Sequence, residues 1–386
     1  MVDNKQNKNP NVPNLRFPEF SGEWKKDSLK DVASISKGLG ISKEQLSDSG
    51  LPCILYGELY TKYKSEVITD IYSKTDIETK GLVSSKANDV IIPCSGEAAI
   101  EIATARCVPV SDILLGGDLN IIRLNGHDGR FFAYQLNGKR KIDIAKVAQG
   151  VSVVHLYGEH LKKIKVAYPS IEEQTKIAEM LSLIDRRIST QNKIIEDLKK
   201  LKVAISNKLF ELSNQVEYKI SDVAQIGRGR VISTLEISKQ ECPTYPVYSS
   251  QTSNNGIMGY LDTYDFEGEY ITWTTDGADA GTVFYRNGKF NCTNVCGVLK
   301  VNDNIDAYYL SIVLQSATAK YVSTNLANPK LMNNTMSSIK VKLPSLPVQR
   351  NWSNTLREID AKIENEILAS NLLCIQKQYL LQQMFI

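Results

Sequence analysis

The sequence lacks any apolar run of the roughly 18 residues that a membrane-crossing helix needs. Its opening residues, 1–14, are polar and rich in asparagine, with no apolar stretch of the kind a secretory signal carries, and they read as a disordered leader. Cysteine is sparse and scattered: seven residues, at 53, 94, 107, 242, 292, 296 and 374. The number is odd and no CxxC occurs, so reduced thiols in a cytoplasmic protein are the simplest expectation. There are three histidines, His127, His155 and His160, and none belongs to an HExxH or a Cys–His arrangement. Cys292 and Cys296 are four apart in a segment that reads as strand, so no metal site is expected. No GxxxxGK[ST] loop and no GxGxxG fingerprint is present, which removes the common nucleotide-binding motifs. Asn9-Pro10 and Asn328-Pro329 lack the following Pro-aromatic pair of an amino-methyltransferase. Glu78-Thr79-Lys80 sits among Lys, Asp and Thr and reads as solvated surface rather than as part of a nuclease. Charge of one sign is missing too. The 46 Lys and Arg against 43 Asp and Glu leave +3, a balance that neither announces nor excludes nucleic acid.

What the chain does have is ordinary globular composition, 42% apolar and 23% charged. At about 150 residues per domain, 386 residues allow two or three domains. An internal repeat decides how they are arranged. Adding 175 carries Ile164-Lys165-Val166 to Ile339-Lys340-Val341, Pro169-Ser170 to Pro344-Ser345 and Gln174 to Gln349. The same offset carries Leu181 to Leu356, Ile184-Asp185 to Ile359-Asp360, Ile188 to Ile363, Leu198 to Leu373 and Phe210 to Phe385. A second echo opens each half: Leu29-Lys30-Asp31-Val32-Ala33-Ser34-Ile35 against Ile220-Ser221-Asp222-Val223-Ala224-Gln225-Ile226, each continuing to a basic residue and glycine, Lys37-Gly38 and Arg228-Gly229.

The repeated segment is helical. Residues 172–210 contain no Gly or Pro, and apolar residues recur three and four apart at Ile177, Leu181, Ile184, Ile188, Ile195, Leu198, Ile205 and Leu209. This is the 3.5-residue period of a coiled coil, interrupted at Gln191 and Lys202. Pro169-Ser170 supplies a start, with Ser170 and Glu173 fitting a capping box. The second copy keeps the phase through Trp352, Leu356, Ile359, Ile363, Leu373, Leu380 and Met384, with Glu366, Ser370 and Lys377 as interruptions. Such helices are marginal alone, and connectivity favours packing them antiparallel on each other with one globular domain at each end.

The globular parts read as α+β with a mostly antiparallel sheet. Strands are expected at Val90-Ile91-Ile92, Asn120-Ile121-Ile122-Arg123, Tyr270-Ile271-Thr272-Trp273, Thr282-Val283-Phe284-Tyr285 and Val298-Leu299-Lys300-Val301. Arg286-Asn287-Gly288-Lys289 carries a hairpin-turn signal. One short helix per domain is expected, around residues 130–136 and 307–322. The expected boundaries are a leader at 1–14, a first domain at 15–168, a long helix at 169–212, a second domain at 213–343 and a long helix at 344–386.

The loops of both halves set hydroxyls, amides, Tyr, Lys and Arg beside glycine, which suits base edges and phosphates. The candidates in the first half are Lys37, Tyr56, Tyr60, Lys62 and Ser95. In the second half they are Arg228, Arg230, Ser250, Gln251, Asn254, Thr274 and Thr275, with Asn328 and Lys330 from Ala327-Asn328-Pro329-Lys330-Leu331.

Two unlike domains, each followed by a similar long helix, resemble the DNA-specificity subunit of type I restriction-modification systems. The resemblance rests on residues 29–38 with their Asp-Val-Ala core and on Pro169-Ser170-Ile171-Glu172-Glu173-Gln174 leading to Ile184-Asp185. The block recurs in weaker form as Pro344-Ser345-Leu346-Pro347-Val348-Gln349. Residues 270–283 are similar to a common target-recognition segment. The resemblance implies two α/β target recognition domains separated by two long antiparallel coiled-coil helices, a bipartite and asymmetric DNA target, and helices that act as a spacer ruler. It also implies docking of two methyltransferase subunits and of restriction subunits, with Ile184, Ile188, Ile195, Leu198, Ile359, Ile363 and Leu373 as partner-binding residues. S-adenosylmethionine, ATP and Mg would then belong to the partners, and this chain would have no cofactor, metal or catalysis of its own. A self-sufficient DNA-binding regulator with a coiled-coil dimer interface is the alternative. A scaffold that never meets DNA would carry loops poor in Arg, Asn and Gln, and these are not.

Overall fold

In the computed structural model residues 11–212, 214–323 and 328–386 are described, with Phe210 by its backbone alone. Residues 1–10 of the expected leader, Ser213 and Ala327 lie outside the described residues. The rest of the leader is held in place: Asn11 O accepts the Trp24 N–H at 2.8 Å, Asn11 Nδ2 donates to Glu23 at 2.9 Å, and Pro13 is buried. The chain divides into two compact units, the first running to Lys193 and taking in Glu366–Ile386, the second Ile194–Asn365. Four helices frame them: α1 (Gly129–Asn137), α2 (Ile171–Lys208), α3 (Ala307–Ala317) and α4 (Leu346–Gln383). At 38 residues each, α2 and α4 are roughly 57 Å long. Neither they nor any other helix among the described residues is long and apolar enough to cross a membrane.

The first unit is built on a four-stranded antiparallel sheet in the order Ala33–Lys37, Leu119–Leu124, Asp89–Pro93, Arg106–Val108. Side chains alternate across a strand, and here both faces are covered. Val90 and Ile92 enter a core with Phe131, Phe132 and Tyr134 of α1 and Ile177 and Leu181 of α2. Ile91 and Ile121 enter a second core with Ile54, Leu59 and Ile68. The uninterrupted apolar run at 90–92 follows from this double burial. Met384 and Phe385, just past the end of α4, close the first core against Trp24 and Phe131.

The second unit repeats the plan with a six-stranded sheet, ordered Ala224–Arg228, Cys296–Val301, Phe266–Thr274, Val283–Cys292, Tyr245–Tyr248, Ile257–Leu261. Ile271, Trp273 and Leu299 pack on Tyr309, Leu310 and Val313 of α3. The expected turn at Arg286-Asn287-Gly288-Lys289 is absent: these residues continue the strand Val283–Cys292 and pair with Phe266–Thr274. Gly288 lies opposite Gly268, with φ of +102° and +105°. That conformation suits glycine, so the turn-like pair marks an irregular point inside a long ladder instead of its end.

The repeat shows in the hydrogen bonds as well as in the sequence. Asp128 caps α1, accepting from the Arg130 and Phe131 N–H groups, and Asp306 caps α3, accepting from the Tyr309 N–H. Gln174 holds the first cap: its Oε1 accepts the Asp128 N–H at 3.1 Å and its Nε2 donates to Pro169 O at 3.0 Å. Gln349 holds the second in the same way, with Asp306 N–H at 3.0 Å and Pro344 O at 2.8 Å. Glu173, expected in a capping box, is turned to Arg16, whose Nε and Nη2 lie 2.8 and 2.7 Å from its two oxygens. A bidentate charged pair outcompetes a single bond to a helix end.

The interruptions in the heptads each find a polar partner on the other helix. In the first unit Lys377 Nζ contacts Asp185 at 2.6 Å and also bonds Glu66, Gln191 donates to Glu366, and Ser370 donates to Asn192 at 3.0 Å. In the second unit Lys202 Nζ reaches both Asp360 oxygens, at 2.6 and 2.7 Å. Asp185 and Asp360 are repeat counterparts, and so are Lys202 and Lys377, each 175 residues apart. In each unit the segments of α2 and α4 run antiparallel.

Candidate DNA interface

In the second unit, most of the expected polar positions meet at one rim. Arg228 ends its strand and is followed by Gly229, where a Cβ would stand 2.0 Å from Cys292 O. Only glycine fits that approach. The exposed Arg228 guanidinium bonds neutral groups: Nε to Asn333 Oδ1 at 3.0 Å, Nη2 to Met332 Sδ at 3.3 Å and Nη1 to Asn294 O at 3.5 Å. Arg230 is also exposed but carries two carboxylates, Glu236 at 2.6 Å and Asp265 at 3.1 Å. Thr275 N–H donates to Val295 O at 3.2 Å and Leu331 N–H to Thr275 O at 2.8 Å, which brings residues 328–333 beside the loop after Thr274. Lys330 is half-buried and its backbone pairs with those of Asp276 and Ser323, while Asn328 is exposed. Thr274 and Thr275 are 1% exposed, their hydroxyls donating to Asp279 O and Asp276 Oδ1. They shape the loop from inside.

The segment 249–256 joins the same rim through Thr252, whose hydroxyl donates to Asp279 Oδ2 at 2.9 Å. Ser250 is half-buried there, and Gln251 and Asn254 are exposed. Gln251 Nε2 donates to Ile257 O at 2.5 Å. Asn254, Asn255 and Gly256 follow one another at φ +49°, +52° and +81°. Two non-glycine residues in the left-handed region in succession persist only where the surroundings hold them.

In the first unit Tyr56 and Lys37 are exposed, and Tyr60 is half-buried with its hydroxyl pushed up by burial and by Tyr56, Glu101, Glu97 and Asp118. Ser95 is buried and donates to Asp118 Oδ2 at 3.0 Å. Lys62 Nζ is engaged by Glu58 at 2.6 Å and by Ser73 at 3.0 Å. Tyr56, Tyr60, Ser95 and Lys37 therefore gather around Asp118 and Cys94, with Lys62 tied down a turn away.

Two residues of these rims escape sequence reading. Arg106 and Arg286 are both buried in strands, and burial pulls both guanidinium groups below their usual range. Their signal was a cation inside a β-branched or aromatic run, at Arg106-Cys107-Val108 and Phe284-Tyr285-Arg286. The residues of the helix seam vary in exposure. Ile184 and Ile195 are 9% exposed and Ile363 is 8% exposed, while Ile188, Leu198, Ile359 and Leu373 are half-buried. Such partial burial fits an a/d stripe shared between the two helices within each unit. The most exposed apolar residues of α4 are Leu368, Leu372, Ile375 and Tyr379, between 57% and 62% exposed.

Comparison with known proteins follows the same lines. The family model of the type I restriction modification DNA specificity domain matches residues 21–200 and again 213–370. Over 140 residues the chain is 49% identical to a Mycoplasma pneumoniae chain named as a type I specificity subunit N-terminus, covering 36% of this chain and 74% of that one. Over 140 residues it is 42% identical to the type I restriction enzyme MpnII specificity subunit of the same organism, covering 36% of this chain and 42% of that subunit. The fold is similar to the crystal structure of a type I restriction-modification S subunit from M. genitalium, with a TM-score of 0.71 at 18% identity over 97% of this chain and 99% of that one. A chain solved in work on assembly and conformational transition of the type I system matches with a TM-score of 0.54 at 13% identity, over 94% and 97%.

Proposed function

The chain belongs to the type I restriction-modification DNA specificity family, and from that premise we propose that its two units read the two unlike halves of a bipartite DNA target. The observation that carries this is a shared frame with different rims. Gln174 and Gln349, which hold the two helix caps, and the Lys–Asp pairs repeat at a fixed offset, whereas the loops at 56–63 and 249–256 do not. A common frame bearing dissimilar polar edges suits an asymmetric sequence, because base edges are read by side chains placed in the groove. Lys37, Tyr56 and Tyr60 would meet the first half-site. Arg228, Ser250, Gln251, Asn254, Asn328 and Lys330 would meet the second. Ser95, Thr274 and Thr275 would act through the loops they hold, and Lys62 and Arg230 by anchoring their segments.

The chain itself would be non-catalytic and cytoplasmic. Two modification subunits would supply S-adenosylmethionine and extrude the target base before methylating it, and restriction subunits would supply the ATP- and Mg-dependent steps. The apolar stripe Leu368, Leu372, Ile375 and Tyr379 offers one docking face for them, since exposed apolar patches of this kind mark interaction sites. The domain limits 15–168 and 213–343, with helices at 169–212 and 344–386, describe the proposed division of labour. Methylome sequencing of a cell expressing the chain with its modification subunit tests the reading. A bipartite methylated motif is expected; an active methyltransferase that leaves no such motif would count for a stand-alone regulator instead.

A further inference from the structure

Each unit contains a buried arginine beneath its recognition segment, and neither has an ion-pair partner among the described residues. Arg106 is 8% exposed and Arg286 4%. Arg106 Nη2 donates to Tyr63 O at 2.9 Å, Nε to Leu59 O at 3.3 Å and Nη1 to Ala105 O at 3.3 Å. Leu59 and Tyr63 belong to the single helical turn Glu58–Thr61 and its exit. A helix this short leaves most of its carbonyls without partners of its own, and the guanidinium takes up one of them and another in the exit. The segment it holds carries Tyr56, Tyr60 and Lys62.

Arg286 does the same work by other contacts. Nη2 donates to Asn255 O at 2.9 Å and Nε to Thr272 Oγ1 at 3.2 Å. Its guanidinium carbon stands 3.6 Å from the centre of the Tyr248 ring and 4.4 Å from that of Phe284. Asn255 is the middle of the three left-handed residues at 254–256, so the bond falls where the backbone most needs holding. Packed this deeply, neither guanidinium can be the group that meets a phosphate. A residue there only to fill space would also be apolar, because burying a charge costs free energy unless its donors are bonded.

We infer that Arg106 and Arg286 are the positioning residues of the two recognition surfaces, each fixing the backbone of one segment and so setting base preference at one half-site alone. The inference rests on the proposed reading of a bipartite target. It concerns residues that touch no base, and it separates the two half-sites by a pair of substitutions at buried positions under the two segments.

The test uses the full chain in complex with its modification subunits, with methylome sequencing and competition binding against duplexes altered one base at a time in either half-site. For Arg286→Gln, discrimination at one or two positions of the second half-site should fall about tenfold, with the first unchanged. Arg106→Gln should give the mirror result. Arg286→Lys and Arg106→Lys keep a charge and a single donor nitrogen but lose the fork and the stacking, and should fall between. Equal loosening at both half-sites, or unchanged preference in complexes that still bind, would overturn the inference. Should Arg286→Gln fail to fold, Gly256→Ala disturbs the same contact from the loop side. Its φ is +81° and a Cβ would stand 3.1 Å from Arg286 Nη2, so an unaltered second half-site there overturns the inference equally. If the unaltered chain gives no bipartite motif, the functional reading fails and takes the inference with it. If it gives one and the variants change nothing, only the inference fails.

Discussion

Phe385 and Met384 are each 2% exposed and pack among Trp24 and Phe131, although they lie more than 200 residues from either in the chain. Removing a buried phenyl ring costs its transfer free energy plus a cavity, so Phe385→Ala is predicted to destabilise the first unit by about 3–5 kcal/mol. Urea unfolding followed by tryptophan fluorescence checks this, since Trp24 stands 6.3 Å from that ring; an unchanged midpoint would show that the site collapses around the loss. At the second rim, Arg228 and Arg230 look equivalent in sequence, both beside Gly229, but their surroundings differ. Arg228 bonds only neutral groups, whereas Arg230 is shared between Glu236 and Asp265. Its charge is largely spoken for. Arg228→Ala is therefore predicted to weaken binding through the second half-site by about 1–3 kcal/mol, and Arg230→Ala by less, in fluorescence-anisotropy titrations at fixed salt. Equal losses would mean that Arg230 leaves its carboxylates to reach DNA.

At the scale of elements, the long helices were legible because a heptad pattern is local and continuous. The helices α1 and α3 were legible too, around residues 130–136 and 307–322, although their Asp caps were not. The turn expected at Asn287-Gly288 was not there, because the same dipeptide that closes a hairpin also fits a glycine pair inside a ladder, and only the partner strand decides. Arg106 and Arg286 were hidden for the same reason: what they hold is 43 or 31 residues away. The polar seam residues were read as breaks in the coiled coil, and their matching appears only when α2 and α4 are laid together. That matching gives a prediction. Lys377 is 13% exposed and faces two buried carboxylates, Asp185 and Glu66; burial, with Glu66 next, pushes the Asp185 carboxyl upward. Lys377→Met would leave both acids without their cation, and breaking such a buried pair costs about 3–5 kcal/mol. Lys202→Met should cost clearly less, because Lys202 and Asp360 are 24% and 33% exposed and water can take over. Chemical denaturation of the two variants side by side checks the order, and the reverse order would sink the argument from burial.

For the whole molecule, the family resemblance implies that α2 and α4 act as a ruler between half-sites, and the repeat offset says how to cut it. Asp185 to Lys202 along α2 is 17 residues, and Asp360 to Lys377 along α4 is also 17. Deleting seven residues between these positions in both helices keeps the heptad phase and leaves Lys377 opposite Asp185 and Lys202 opposite Asp360. Deleting them from one helix alone breaks the register of one pair. The matched deletion shortens each helix by about 10 Å, which corresponds to about three base pairs of duplex at roughly 3.4 Å each. The methylated motif of the matched variant should therefore keep both half-sites and lose about three bases of spacer, while the single deletion should lose methylation. Exchanging residues 15–160 for those of another specificity subunit should do the converse, changing one half-site and leaving the spacer as it was. If the matched deletion altered the bases read instead of their separation, the helices would be part of the reading surface and the ruler would be wrong. If it altered neither, the spacing would be set by the partner subunits, and the 17-residue register would serve only to hold the chain together.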